Sequence, residues 1–284
     1  MRPMAIQSEC RDCLQRLVDL TLDLAGVGPE LRERARHAAR DIIRQEFRPE
    51  AIPALIATRF HLAIQELTGN PDPFFFRKQA ETAFLKGMFA RVFPLYDQGL
   101  DSLLGLAAAG NAIDFFREEE EVAREMTAAI AWTQADLEPF RRRLAAPAGI
   151  ILCLADNAGE QFFDRPLVAS LRGRGWRTVY VVKGGPIQND LTRNDLYASG
   201  LGEDLEPVAD TGSRTVGLAL SETGEVFRRL YQGADLILAK GMGHYETMSH
   251  LNDPRVFFLL QAKCSPVAQA LGVPLRSFVF RRSA

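Results

Sequence analysis

The sequence predicts an α/β protein in two parts: an all-helical N-terminal domain over residues 1–146, and a C-terminal domain over residues 147–284 with a mainly parallel sheet covered by helices on both faces. Three observations predict it. Apolar residues recur at helical spacing from about residue 8 to 145, as in Leu14, Leu17, Leu20 and Leu22, or Ile42, Ile43 and Phe47. After Pro147 the texture changes to short β-rich runs separated by amphipathic stretches, the alternation expected of βαβ units. Each of those runs ends in polar or charged residues, several of them beside glycine, where parallel sheets gather ligands.

In the helical half, Gly26-Val27-Gly28-Pro29, Gly69-Asn70-Pro71-Asp72-Pro73 and Gly110-Asn111 suit turns and mark helix boundaries. In the second half the candidate strands are Gly149 to Ala155, Arg177 to Val182, Asp235 to Ala239 and Val256 to Gln261, with weaker ones near Glu206 to Ala209 and Leu275 to Phe280. Helical patterns lie between them, over Gln161 to Arg172, Asp190 to Ala198 and Leu220 to Tyr231.

A chain of 284 residues, 47% hydrophobic and 25% charged, is long enough to bury one large core or two ordinary ones. The formal net charge is -2 with both signs dispersed, which excludes the basic footprint of a nucleic-acid binder. Arg141-Arg142-Arg143 and Arg281-Arg282 are short clusters near element ends, read as solvated. No apolar run approaches the ~20 residues of a membrane span, and no signal-type apolar segment opens the chain, so a cytoplasmic protein without a membrane partner is expected. Four dispersed cysteines, with Cys153 and Cys264 in buried strand or strand-end segments, fit a reducing compartment. Cys10-x-x-Cys13 opens the first helix. No second C-x-x-C completes a zinc site and no strand precedes it as in thioredoxin-type motifs, so helix packing is the favoured reading over redox chemistry.

The strand ends carry the chemistry. The first ends in Asp156-Asn157-Ala158-Gly159-Glu160 and the second in Lys183-Gly184-Gly185-Pro186, leading to Asn189-Asp190. Later ends hold Asp210-Thr211-Gly212-Ser213, Lys240-Gly241-Met242-Gly243-His244-Tyr245-Glu246 and Lys263-Cys264. Asp156, Asn157 and Asp190 offer only oxygen ligands, which suits Mg²⁺ or Mn²⁺ better than zinc; Co²⁺ and Ni²⁺ also occupy such sites. Helix capping is the competing reading of Asp156 and Asn157. Lys183 and Lys240, each followed by glycine, combine a cation with approachable backbone N–H groups, as a phosphoryl group requires; surface ion pairing is the alternative. Glu160 is placed to orient water or act as acid or base, or to complement a helix dipole. His37, His61 and His250 read as structural, whereas His244 sits in the glycine-containing loop after Lys240.

Together these loops resemble the damage-control phosphatases, formerly a family of unknown function, and in particular their prokaryotic branch. The resemblance extends through Cys10-x-x-Cys13, through Asn70-Pro71-Asp72-Pro73 with Lys78, and through Gly110-Asn111-Ala112-Ile113-Asp114-Phe115, so it covers almost the whole chain. It implies a helical domain on a three-layer α/β/α Rossmann-like domain, with a metal held by residues matching Asp156, Asn157 and Asp190. It also implies a phosphate-contacting lysine matching Lys240, and a segment matching Asn111 and Asp114 that approaches the site from the helical half. Lys183, Gly241, His244 and Glu246 complete the expected substrate-binding set. The implied activity is metal-dependent hydrolysis of small phosphometabolites: sugar phosphates, nucleotides or damaged cofactor-related phosphates. Relatives usually carry Asn where this chain has His244, a bulkier side chain that can gain charge near neutral pH.

The expected mechanism has the cation polarise a phosphoryl oxygen and help position water while Lys240 stabilises developing charge. Asp156 as a covalent nucleophile ranks second, because the Asp-x-Asp of aspartyl-phosphate enzymes is missing. Two other classes compete. A phosphometabolite-binding protein would use the same anion site without turnover. An S-adenosylmethionine-dependent methyltransferase is poorly served by a first turn of Asp-Asn-Ala-Gly-Glu and a second strand ending in Lys183.

Overall fold

A computed structural model describes residues 4–112, 119–127 and 130–283. The helical half opens with α1 (Ser8–Ala25), α2 (Pro29–Glu46), α3 (Pro53–Thr68), α4 (Phe75–Val92), α5 (Leu100–Gly110) and α6 (Glu119–Thr127). Gly26 and Gly69, two of the punctuation points in the sequence, close α1 and α3. Then come β1 (Trp132–Ala135), α7 (Leu137–Ala145), β2 (Ile150–Leu154), α8 (Gln161–Gly173) and β3 (Arg177–Val182). After the short α9 (Arg193–Ala198) and α10 (Gly202–Leu205), the chain alternates through β4 (Val208–Asp210), α11 (Glu225–Gln232), β5 (Leu236–Lys240), α12 (Gly241–Met248), β6 (Val256–Gln261), α13 (Ser265–Leu271) and β7 (Phe278–Arg282).

The strands form one sheet in the order β1-β7-β6-β5-β2-β3-β4. All neighbours pair in parallel except β6 and β7, where Leu259 faces Phe280 in an antiparallel register. β1 corrects the expectation that residues 8–145 are wholly helical. Its four residues show no alternation, and it takes strand form by adding to β7 at the sheet edge, a pairing that no local pattern in Trp-Thr-Gln-Ala announces.

Alternation within the strands covers both faces, because successive side chains point to opposite sides. Ile151, Cys153, Tyr180, Val182, Leu236, Leu238, Phe257 and Leu259 share one buried cluster with α4, α5, α7 and α8 through Leu85, Leu104, Phe140 and Phe163. Leu152, Leu154, Val179, Val181, Ile237, Ala239, Phe258 and Leu260 share another with α11, α12 and α13. This is the three-layer α/β/α arrangement. Helices α1, α2 and α3 hold a separate core around Val18, Leu22, Ala39, Phe60 and Ile64.

β2 connects onward to β3 on one side and is flanked by β5 on the other, so the loops after β2 and β5 diverge. A crevice opens at such a reversal of strand order. The helical half covers it. Lys78 on α4 reaches Asp72 and Asp195, each at 2.7 Å, and Ala54 N–H at the start of α3 donates to Glu246 on α12 at 3.0 Å.

Candidate active site

The loops after β2 and β3 are joined edge to edge. Leu191 N–H donates to the carbonyl of Asp156 at 2.9 Å and Ala158 N–H to that of Asn189 at 2.8 Å, with Asn157 and Asp190 in bridge register. Two segments over thirty residues apart in sequence thus bring Asp156, Asn157 and Asp190 together on the wall of one cavity of about 370 Å³. The loop after β5 approaches closely as well. Gly241 has φ +80°, and a Cβ there would run into the Asp156 carboxylate, so glycine is required both by conformation and by contact.

Below these three residues lies a buried polar network. Asn111, at the end of α5, donates from Nδ2 to Asp156 Oδ2 at 2.8 Å and Glu160 Oε1 at 3.0 Å, while its own Oδ1 accepts from Gln261 N–H at 3.2 Å. Asn157 Nδ2 reaches the same two carboxylates at 3.0 and 2.7 Å. The remaining oxygen of Glu160 accepts from Lys240 Nζ at 2.7 Å; Lys240 also meets Asp164 Oδ1 at 2.6 Å, and Tyr180 O–H donates to Asp164 Oδ2 at 2.7 Å. Asp190 Oδ2 has the Lys183 ammonium at 3.3 Å as an ion-pair partner, yet that contact lacks hydrogen-bond geometry and the oxygen is otherwise unsatisfied.

Charge follows from these contacts. Burial, then the neighbouring Glu160 and Asp190 carboxylates, push Asp156 well above the usual carboxylate range. Burial also raises Asp190 in spite of Lys183. For Glu160 burial is outweighed by Lys240 and Lys263, which hold its carboxyl below the ordinary value. Lys240 stays charged because Asp164 and Glu160 overcome its desolvation. Two buried carboxylates that repel, one with an unsatisfied oxygen, and an amide oxygen beside them form an oxygen donor set that fits a hard divalent cation.

Lys240, the expected phosphate lysine, has no exposure, and its ammonium lies between Glu160 and Asp164 and not among the residues that line the cavity. Lys183 is likewise buried, donating to the Gly217 carbonyl and pairing with Asp190. The lysine on the cavity wall is Lys263, from the loop after β6. His244 is buried in the first turn of α12, its Nδ1 at 2.6 Å from the Lys240 carbonyl, and burial and Lys183 keep it neutral, so the charge gain open to an exposed histidine is suppressed. Glu246 lines the cavity; burial raises it to about 7. Asp114 lies outside the described residues.

Sequence reasoning missed Asp164 and Tyr180. A signal existed for Asp164, one helical turn beyond Glu160 on the same face of α8. The structural reading of His61 fits its surroundings. His61 is buried between Thr21 Oγ1 at 3.2 Å and Gln188 Nε2 at 2.9 Å, linking α1 and α3 to the loop that carries Asp190.

Residues 6–279 match the model of the damage-control phosphatase ARMT1-like domain. The chain belongs to that family. It is 34% identical over 286 aligned positions to a damage-control phosphatase of Pyrococcus horikoshii, covering 99% of each chain. A damage-control phosphatase of Archaeoglobus fulgidus is 28% identical, with 97% of this chain and 98% of that one aligned. The crystal structure of a DUF89 family protein from Pyrococcus horikoshii superposes with a TM-score of 0.88 at 32% identity, covering 99% of this chain and all of the other. Family membership supports a phosphatase role.

Proposed function

We propose that this protein is a divalent-metal-dependent phosphatase acting on small phosphate monoesters. The observation that carries the proposal is the convergence of Asp156, Asn157 and Asp190 at the crevice between β2 and β5, on the wall of a cavity large enough for a sugar- or nucleotide-sized ester. Asp156, Asn157 and Asp190 would hold the cation, of the Mg²⁺ or Mn²⁺ class, with Co²⁺ or Ni²⁺ as substitutes. Such an ion supplies charge neutralisation at a phosphoryl group and lowers the pKa of water.

The protein's own groups divide the remaining work. Lys263, which lines the same cavity, would offer its ammonium to phosphoryl oxygens. The N-terminus of α12, whose Met242 and Gly243 line the cavity, would favour the same anion through the helix dipole. Asn111 and Asn157 orient the Asp156 carboxylate, and Lys240 keeps Glu160 ionised so that both amides remain pointed inward. Glu160, buried and committed to those amides, is assigned a positioning role. The helical cap, through α1 and α3, supplies the walls that select the ester.

The test is phosphate release from sugar phosphates, nucleotides and p-nitrophenyl phosphate with chelator, Mg²⁺, Mn²⁺ or Co²⁺, for wild type and Asp190→Ala. Release that requires metal and falls about a thousandfold or more in the variant is expected. Tight phosphate-ester binding without release under any metal would sink the proposal in favour of a binding protein.

A further inference from the structure

Three of the four cysteines lie near one another, and the phosphatase reading gives none of them a role. Cys10 and Cys13 lie in the opening turns of α1, and Cys264 directly precedes α13. Positions i and i+3 of a helix hold their Cα atoms about 5 Å apart, within the span a disulfide bridges. The two elements are tied together: Gln7, which caps α1, donates from Nε2 to Gln269 on α13 at 2.9 Å, and Met4 packs into the same apolar cluster as Cys264. Cys13 and Cys264 line the same cavity as Asp156 and Asp190. All four cysteines are thiols, with Cys13 exposed, Cys264 partly exposed, and Cys10 and Cys153 buried.

We propose that Cys10, Cys13 and Cys264 form a peroxide-sensitive thiol site on the rim of the cavity, in which a disulfide from Cys264 to the Cys10-x-x-Cys13 turn ties α1 to the loop after β6 and obstructs entry. The obstruction rests on the phosphatase reading of the cavity; the disulfide does not.

Access sets the order of events. Burial raises the thiols of Cys10 and Cys264, the latter to about 12, leaving Cys13 at the surface as the point of attack. Its thiolate attacks one oxygen of hydrogen peroxide; the O–O bond breaks, the sulfur becomes a sulfenic acid, and hydroxide leaves to be protonated to water. A second thiol, deprotonated as it attacks, displaces the sulfenic hydroxyl: an S–S bond forms, the S–O bond breaks, and a second water departs. Two thiols and one peroxide give one disulfide and two waters, the sulfurs losing two electrons to the peroxide oxygens. If Cys10 resolves first, Cys264 exchanges into the intrahelical bond and releases one thiol of the pair. A dithiol reductant reverses the bridge, as expected of a transient disulfide in a reducing compartment. The neighbour of Cys264 is Lys263, whose backbone N–H is held at 3.3 Å from the Met242 sulfur, so tethering Cys264 also restrains the cavity lysine.

The experiment treats the full chain with stoichiometric peroxide, blocks remaining thiols with N-ethylmaleimide, and maps disulfides by mass spectrometry under non-reducing conditions. Binding of inorganic phosphate with Mn²⁺ is measured by calorimetry on the same samples. A linked peptide pair containing Cys264 and either Cys10 or Cys13 is expected. The fraction of molecules that bind phosphate should fall about tenfold, as when nine-tenths are held closed, and should recover with dithiothreitol. Cys264→Ser and Cys264→Ala, each compared with its own reduced form, should show no peroxide effect on binding. A terminal Cys10–Cys13 bond alone, sulfinic acid without any disulfide, or a zinc ion already holding these thiols would overturn the site. A mapped Cys264 bridge with unchanged phosphate binding would overturn the obstruction. Failure of the reduced protein to bind phosphate would count against the phosphatase reading, while the mapping still decides the thiol site.

Discussion

Below the cavity and around its mouth, the protein is held by contacts of different kinds. The floor is a set of buried carboxylates and amides around one lysine, in which Asn111, Asn157, Glu160, Lys240, Asp164 and Tyr180 meet at 2.6–3.0 Å. The rim is drawn from α1, α3 and the loops after β5 and β6, and includes Glu9, Asp12, Cys13, Arg16 and Lys263. Its side chains are set by side chain to backbone contacts such as Ala54 to Glu246 and by surface bonds such as Gln7 to Gln269. On the phosphatase reading, the floor would serve permanence and the rim discrimination. Substitutions below should therefore appear first in stability, and substitutions above first in substrate affinity.

The sharpest challenge to this contrast is Lys240→Met. It leaves two buried carboxylates without their counter-ion, and removing one partner of a buried pair costs about 3–5 kcal/mol, so calorimetry should show Tm falling by roughly 10 °C. Adding Asp164→Asn should restore part of it. A Tm within a degree or two of wild type would mean the floor is not what holds this layer together.

Next is Lys263→Ala. Phosphate-ester KM should rise about tenfold to a hundredfold while Tm moves by less than about 2 °C. The reverse pattern, a large loss of Tm with unaltered KM, would place Lys263 with the floor.

Glu246 lies between the two regimes. Its folded carboxyl titrates at about 7, above the ordinary 4.5, so the folded state binds this proton more tightly than the unfolded chain. Its contribution to stability is full below about pH 4.5 and is lost as pH rises through 7. Glu246→Gln keeps an oxygen for Ala54 N–H and removes the titration. The Tm of the variant relative to wild type should increase between about pH 5 and pH 8; a difference independent of pH would refute the assignment.

The smallest effect is expected at Thr192, which caps α9 through a reciprocal box with Asp195 behind the loop carrying Asp190. Thr192→Ala should cost about 1 kcal/mol in denaturant unfolding, with metal affinity little changed.

Much of this organisation could be read in the sequence. The strand runs Arg177 to Val182 and Val256 to Gln261 are bounded as their apolar texture predicts, and Asp156, Asn157 and Asp190 fall at strand ends because parallel sheets place their loops there. The sequence is silent where partners are distant. Nothing local to Lys240 reveals that Glu160, 80 residues earlier, lies beside it, so a lysine before glycine at a strand end read as a phosphate contact. Lys263, followed by cysteine, carries no such signal, and only the fold shows that Lys240 is enclosed while Lys263 lines the cavity.

Helices α1, α2 and α3 keep an apolar core of their own while supplying one wall of the cavity. On the phosphatase reading, variation among the three helices would redraw the wall presented to an ester without disturbing a single hydrogen bond around Glu160, so new substrates could be admitted by remodelling that wall alone.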